Sequence, residues 1–142
     1  MKRIFIILIV TTSCLASALS QKESNVINLT KADFLINVFN YEKNKDWKYE
    51  GSKPCIINLY ADWCRPCKEM SLILEEIAKT YKDKIIVYKI DTDKERELFR
   101  ALGLGRSIPT FIFVPVNGIP AVVKGAIPKG QIELRINRFL LE

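Results

Sequence analysis

Two rhythms of apolar residues run through the chain. Short, nearly continuous apolar stretches predict strands: Val26-Ile27-Asn28-Leu29, then Ile56 to Ala61 with Cys55 at its start, Lys84 to Asp91, 110–114 and 121–124. Between them the apolar residues recur with helical spacing. Thr30 caps a first helix, with Asp33 three residues on as a weak capping-box variant, and Phe34, Leu35, Val38, Phe39 and Tyr41 form its apolar face. Lys68 to Ala78 reads as an amphipathic helix, and so does Asp93 to Leu102, with Leu98, Phe99 and Leu102 inward and Gly103 ending it. Pro128 and Lys129 open a last helix whose face is Ile132, Ile136, Phe139 and Leu140. Asn117-Gly118 reads as the turn between the last two strands. Glu42 to Pro54 is polar and charged, a loop around Trp47 and Tyr49. The order is β-α-β-α-β-α-β-β-α, an α/β class pattern without repeats or low-complexity segments.

The first twenty residues break this pattern. Met1-Lys2-Arg3 is a short basic start, Ile4 to Val10 an apolar core, and Ala18-Leu19-Ser20 a small-x-small site that predicts cleavage before Gln21. That is the pattern of a secretory signal peptide, which places the product in an oxidising compartment, the bacterial periplasm. An uncleaved membrane anchor is a second reading, against which the apolar run is far shorter than the roughly 20 residues a span needs. Lipid attachment at Cys14 is a third, with Thr11 standing where an aliphatic residue is usual. Cleavage leaves residues 21–142, 122 of the 142, enough for one domain with its own core. The formal charge falls from +6 to +4 as Lys2 and Arg3 leave. Basic and acidic residues interleave, as in Lys82-Asp83-Lys84 and Lys94-Glu95-Arg96-Glu97, so no basic stripe points to nucleic acid.

The candidate chemistry lies at Trp63-Cys64-Arg65-Pro66-Cys67, where a strand hands over to a helix. A C-x-x-C in that setting is a redox motif more often than a metal site. Free backbone N–H groups and the dipole of a helix start favour negative charge, so Cys64 is expected to react as thiolate. Cys67, almost a turn further in and more buried, suits a resolving thiol. Pro66 is tolerated in the first turn, where no helical hydrogen bond is lost. A structural zinc site wants four ligands, but the chain has no His and its other cysteines are Cys14 and Cys55. Covalent haem attachment needs a His at position 68, which is Lys. An inert structural disulfide remains open. Cys55, alone in an apolar strand, reads as inert core. Trp47 reads as a packing anchor, with a partner contact as the sharper alternative.

On these residues the sequence resembles the thioredoxin family, whose signature Trp-Cys-Gly-Pro-Cys-Lys is Trp63-Cys64-Arg65-Pro66-Cys67-Lys68 here. Ser107-Ile108-Pro109-Thr110 matches the loop that carries the family's cis-proline, Phe111 to Val114 the strand after it, and Lys124-Gly125-Ala126 the glycine loop facing the active site. The likeness covers about residues 24–142 and is strongest to exported, periplasmic members. It implies a thioredoxin fold, a mixed central sheet with helices on both faces. It also implies thiol–disulfide exchange by Cys64 and Cys67 without organic cofactor or metal. Trp63, Arg65, Ile108, Gly125 and Ala126 would line a shallow groove for an extended polypeptide, with Pro109 cis and Ile108 offering backbone to a substrate strand.

Four features depart from the family. Asn58 stands six residues before Cys64, where the family buries an Asp that helps deprotonate the resolving cysteine, while Lys89 matches the family's buried lysine. Arg65 replaces Gly between the cysteines. Both changes stabilise thiolate and should raise the reduction potential. Gly103-Leu104-Gly105-Arg106 is one residue longer than the usual approach to the cis-proline, and the Glu42–Pro54 loop is longer than usual. The implied partners are proteins with disulfides or thiols and a membrane redox partner, an electron carrier for a reductase or a quinone-linked reoxidant for an oxidase. A monomer is expected. Two other readings are a redox-inactive module that holds extended chains and a specialist reductant of haem-attachment cysteines, which usually carries inserted acidic segments that this chain lacks.

Overall fold

The computed structural model describes residues 24–142; the leader pattern and Cys14 lie outside the described residues. Five strands form one sheet: β1 (Val26–Asn28), β2 (Cys55–Tyr60), β3 (Ile86–Asp91), β4 (Thr110–Val114) and β5 (Ala121–Lys124). Their spatial order is β1-β3-β2-β4-β5. β1, β3 and β2 are parallel, whereas β4 runs antiparallel to both β2 and β5. The sheet is therefore mixed, as expected, and β2 is its central strand.

A strand covered on both faces needs apolar residues at consecutive positions, which explains why β2 reads as an apolar run interrupted only by Asn58. Ile56 faces one core, with Val87, Phe111 and Phe113 from the sheet and Met70, Leu74, Ile77, Ile132 and Ile136 from the helices. Cys55, Ile57 and Leu59 face the other, with Phe34, Val38, Leu98 and Tyr88. Helices α2 (Arg65–Thr80) and α4 (Lys129–Arg135) thus cover one face, and α1 (Lys31–Asn37) and α3 (Arg96–Ala101) the other. Each of these fully buried aliphatic side chains contributes about 1.5–3 kcal/mol relative to exposure.

Local signals set most of the boundaries. Thr30 and Asp33 form a full reciprocal capping box, each accepting the other's backbone N–H at 3.2 Å. Trp47 in the long loop stacks 4.9 Å from Phe39 and packs into the second core, the anchor role expected of it. Three boundaries differ from the sequence expectation: α1 stops at Asn37, so Val38, Phe39 and Tyr41 reach the second core from beyond its end. α3 begins at Arg96 rather than Asp93, because Asp91 holds residues 91–95 in a turn: its Oδ1 accepts the N–H groups of Asp93 and Lys94. The last helix widens into a π-turn over Ile136–Leu140, closed by the Leu141 N–H on the Ile136 carbonyl at 3.0 Å. The wider turn keeps Ile136 and Leu140 on the core and leaves Phe139, expected inward, 39% exposed.

Candidate active site

β2 ends at the sheet centre, and the chain turns sharply there into α2. The Cys64 N–H donates to the Ala61 carbonyl at 3.1 Å, and Cys64 becomes the N-cap of α2 with an extended backbone. Its Sγ takes the place usually held by a Ser or Asp oxygen: it accepts the Cys67 backbone N–H at 3.3 Å. A sulfur in that position meets free helix donors and the positive end of the helix dipole, the setting that favours thiolate over thiol. Arg65 and Pro66 fill the first turn. Cys64 and Cys67 are joined as a disulfide with Cα atoms 5.2 Å apart. Cys64 retains 5% exposure and Cys67 2%, so Cys64 is the more accessible of the two.

The remaining predicted site residues fall into three groups. The loop group comes together: Ile108–Pro109 is cis, Ile108 packs with Tyr60 against Ala61, Cys64 and Cys67, and the Gly125 N–H donates to the Pro109 carbonyl at 2.8 Å. Gly125 has φ +89°, a conformation that suits glycine, and Ala126 beside it is exposed. The second group is the exposed pair Trp63 and Arg65. Trp63 is 71% exposed, yet its indole N–H is fixed by Asp93 Oδ2 at 2.8 Å. Arg65 forms no ion pair among the described residues.

The third group is Asn58 and Lys89, neighbours in the β2–β3 register on the face covered by α2. Asn58 is buried at 3% exposure, and its Oδ1 has no hydrogen-bond partner among the described residues. Lys89, expected as a buried lysine, is only half-buried. Its ammonium lies 5.8 Å from the centre of the Tyr60 ring, among Asn28, Asp91, Lys94 and Glu95 at the edge. The fully buried residue of β3 on this face is Val87. Position along a strand reveals the face but not the depth at which a long side chain ends, so the sequence misplaced the cation.

Cys55 is buried at the far end of β2 and is a free thiol. Burial pushes it up to about 12, against a partial counter-effect from the Tyr49 hydroxyl, which holds it protonated and inert. Asp93 was missed by sequence reasoning because its contact with Trp63 spans thirty residues. The signal available was Asp91-Thr92-Asp93 at the end of a strand that had to lie beside β2. Among the described residues, no group of three or more Asp, Glu, Cys and His side chains is placed to hold a metal ion.

Comparison with known proteins agrees with this geometry. The thioredoxin family model matches residues 26–138. A thioredoxin of Borreliella burgdorferi is 43% identical over 113 residues, 80% of this chain and 96% of its own length. A chloroplastic M-type thioredoxin of Spinacia oleracea is 33% identical over 68% of this chain, which spans about half of that relative (52%). A crystal structure of chloroplastic thioredoxin z superposes with a TM-score of 0.67 at 21% identity, over 80% of this chain and 92% of the other, and shares the fold. A disulfide seated on the first turn of α2, beside a cis-proline loop and within a sequence matched almost end to end over the described residues, has one family that accounts for it: the chain belongs to the thioredoxin family of disulfide oxidoreductases.

Proposed function

We propose that the protein is an exported thiol–disulfide oxidoreductase acting on protein substrates, with Cys64 as attacking and Cys67 as resolving sulfur. The observation that carries this reading is the Cys64 sulfur at the N-cap of α2, accepting a helix N–H and bonded to Cys67. In the reducing direction, the Cys64 thiolate attacks a substrate disulfide and expels one substrate thiolate. Cys67 then attacks the mixed disulfide, closes Cys64–Cys67 and releases the second substrate thiolate. Two electrons pass to the substrate, and a dithiol or a membrane electron carrier returns them. In the oxidising direction each step reverses, and the reoxidant is a quinone-linked partner.

Export rests on the basic-then-apolar pattern of residues 1–20, with cleavage before Gln21 and a soluble, monomeric product; lipid attachment at Cys14 is the competing outcome. Arg65 beside Cys64 and the uncharged Asn58 beneath the sheet face both favour thiolate, so the potential lies above that of an ordinary thioredoxin. Equilibration of the purified protein in glutathione buffers tests this. A potential near thioredoxin's ~−270 mV overturns the argument from Arg65 and Asn58 and points to a reductase. A value shifted upward by a few tens of millivolts supports it and favours disulfide formation or shuffling.

A further inference from the structure

Beside the disulfide, between α3 and the cis-proline loop, lies an open groove of about 810 Å³. Trp63, Phe99 and Ile108 give it an apolar floor, and Arg96, Arg100 and Arg106 stand around it. The Nε–H of Arg96 donates to the Asp93 carbonyl at 3.0 Å and that of Arg100 to the Arg96 carbonyl at 3.2 Å. These bonds steady the two side chains without neutralising them, and none of the three guanidinium groups forms an ion pair among the described residues. Among the described residues, Asp93 is the one carboxylate lining the groove, and its Oδ2 is already engaged by the Trp63 indole. Lys124 adds a fourth cation, its Nζ 3.8 Å from where a Cβ on Gly105 would stand. Among the described residues, nothing lies within 4 Å of the corresponding point on Gly103.

An apolar floor beneath uncommitted guanidinium groups matches an extended peptide bearing carboxylates, because the planar fork pairs with carboxylate oxygens and exposed like charges raise the encounter rate of an anionic partner. Resting on the thiol–disulfide reading above, we propose that the preferred protein substrates carry an acidic segment next to the reacting cysteine. Arg96, Arg100 and Arg106 receive its carboxylates while that cysteine meets Cys64.

The test uses the full chain and three synthetic disulfide peptides of one sequence, flanked by four Glu, four Gln or four Lys, with dithiothreitol as the electron source. The Glu peptide is expected to be reduced with a kcat/KM about tenfold above the Lys peptide at low salt, the ratio closing toward unity at 1 M salt. The double variant Arg96→Gln/Arg100→Gln should lower that ratio by at least about threefold, whereas Arg135→Gln on α4, equal in charge change per site, should not. If the double variant does not fold, Arg106→Gln in the loop carries the same test with a drop of about twofold. Equal rates on all three peptides in the unaltered protein overturn the inference and leave the thiol–disulfide reading standing. Failure to reduce any of them faster than dithiothreitol alone overturns that reading itself.

Discussion

Replacing Arg65 with Gln removes a cation from the first residue of α2 while keeping the length of the side chain. Arg65 is exposed and forms no ion pair among the described residues, so its charge is not already neutralised by a neighbour. Side chains on consecutive residues start from Cα atoms about 3.8 Å apart, and a separation of roughly 7 Å between the guanidinium and the Cys64 sulfur is taken for the calculation. At an effective dielectric constant of about 40–80, a unit charge pair at that distance is worth about 0.6–1.2 kcal/mol. The Cys64 pKa in the reduced protein should then rise by about 0.4–0.9 unit. At pH 7, a two-electron couple that loses this stabilisation of its reduced form becomes more reducing by about 13–25 mV. The assay is equilibration in glutathione buffers, with the reduced fraction read by mass after alkylation. Arg65→Lys should restore most of the difference, and 1 M salt should shrink it as the screening length falls to about 3 Å. An unchanged or less negative potential in Arg65→Gln would refute the charge argument, as would a shift insensitive to salt.

Three further expectations concern the scaffold. The folded-state pKa of Cys55 is raised to about 12 from 9.0 by burial, so the folded protein holds a proton that the unfolded chain releases. Stability is therefore intact below about pH 9 and falls between about pH 9 and 12, and urea titrations across pH 8–10.5 should show a slope flatter by up to about 1.4 kcal/mol per pH unit in Cys55→Ala. Asn58→Val removes an unpaired buried carbonyl oxygen from a central strand that favours β-branched residues, and it should raise stability by about 1 kcal/mol in chemical denaturation; a loss would mean that the amide makes a contact worth keeping. Thr30→Ala removes the hydroxyl that accepts the Asp33 N–H, while the backbone N–H of residue 30 still donates to Asp33, and should cost about 1 kcal/mol in the same assay.

How much of this was legible in the sequence depends on the range of the interaction concerned. The strand–helix handover at Cys64 and the capping box at Thr30 are written in consecutive or near-consecutive residues, and both appear in the structure where the pattern put them. That β2 lies inside the sheet, covered on both faces, follows from its nearly continuous apolar run, which Asn58 alone interrupts. Phe139 was misplaced because helical periodicity assumes 3.6 residues per turn, and the π-turn changes the period where the chain ends. Lys89 was misplaced because its long stem lets the ammonium leave the sheet face for the Tyr60 ring. The Asp93–Trp63 contact and the arginine-edged groove were invisible because they join residues from the turn before α2, the β3–α3 turn, α3 and the cis-proline loop, which only the packed sheet brings together.

The central claim is that the start of α2 makes Cys64 a reactive thiolate. Its most direct test is the rate of iodoacetamide alkylation at Cys64 in the reduced protein, followed by peptide mass mapping from pH 4 to 10. Cys64 should be modified ahead of Cys67 and Cys55, with a midpoint at least about one unit below the ~8.5 of a free thiol. A midpoint at or above ~8.5, or equal modification of the two site cysteines at mildly acidic pH, would contradict it.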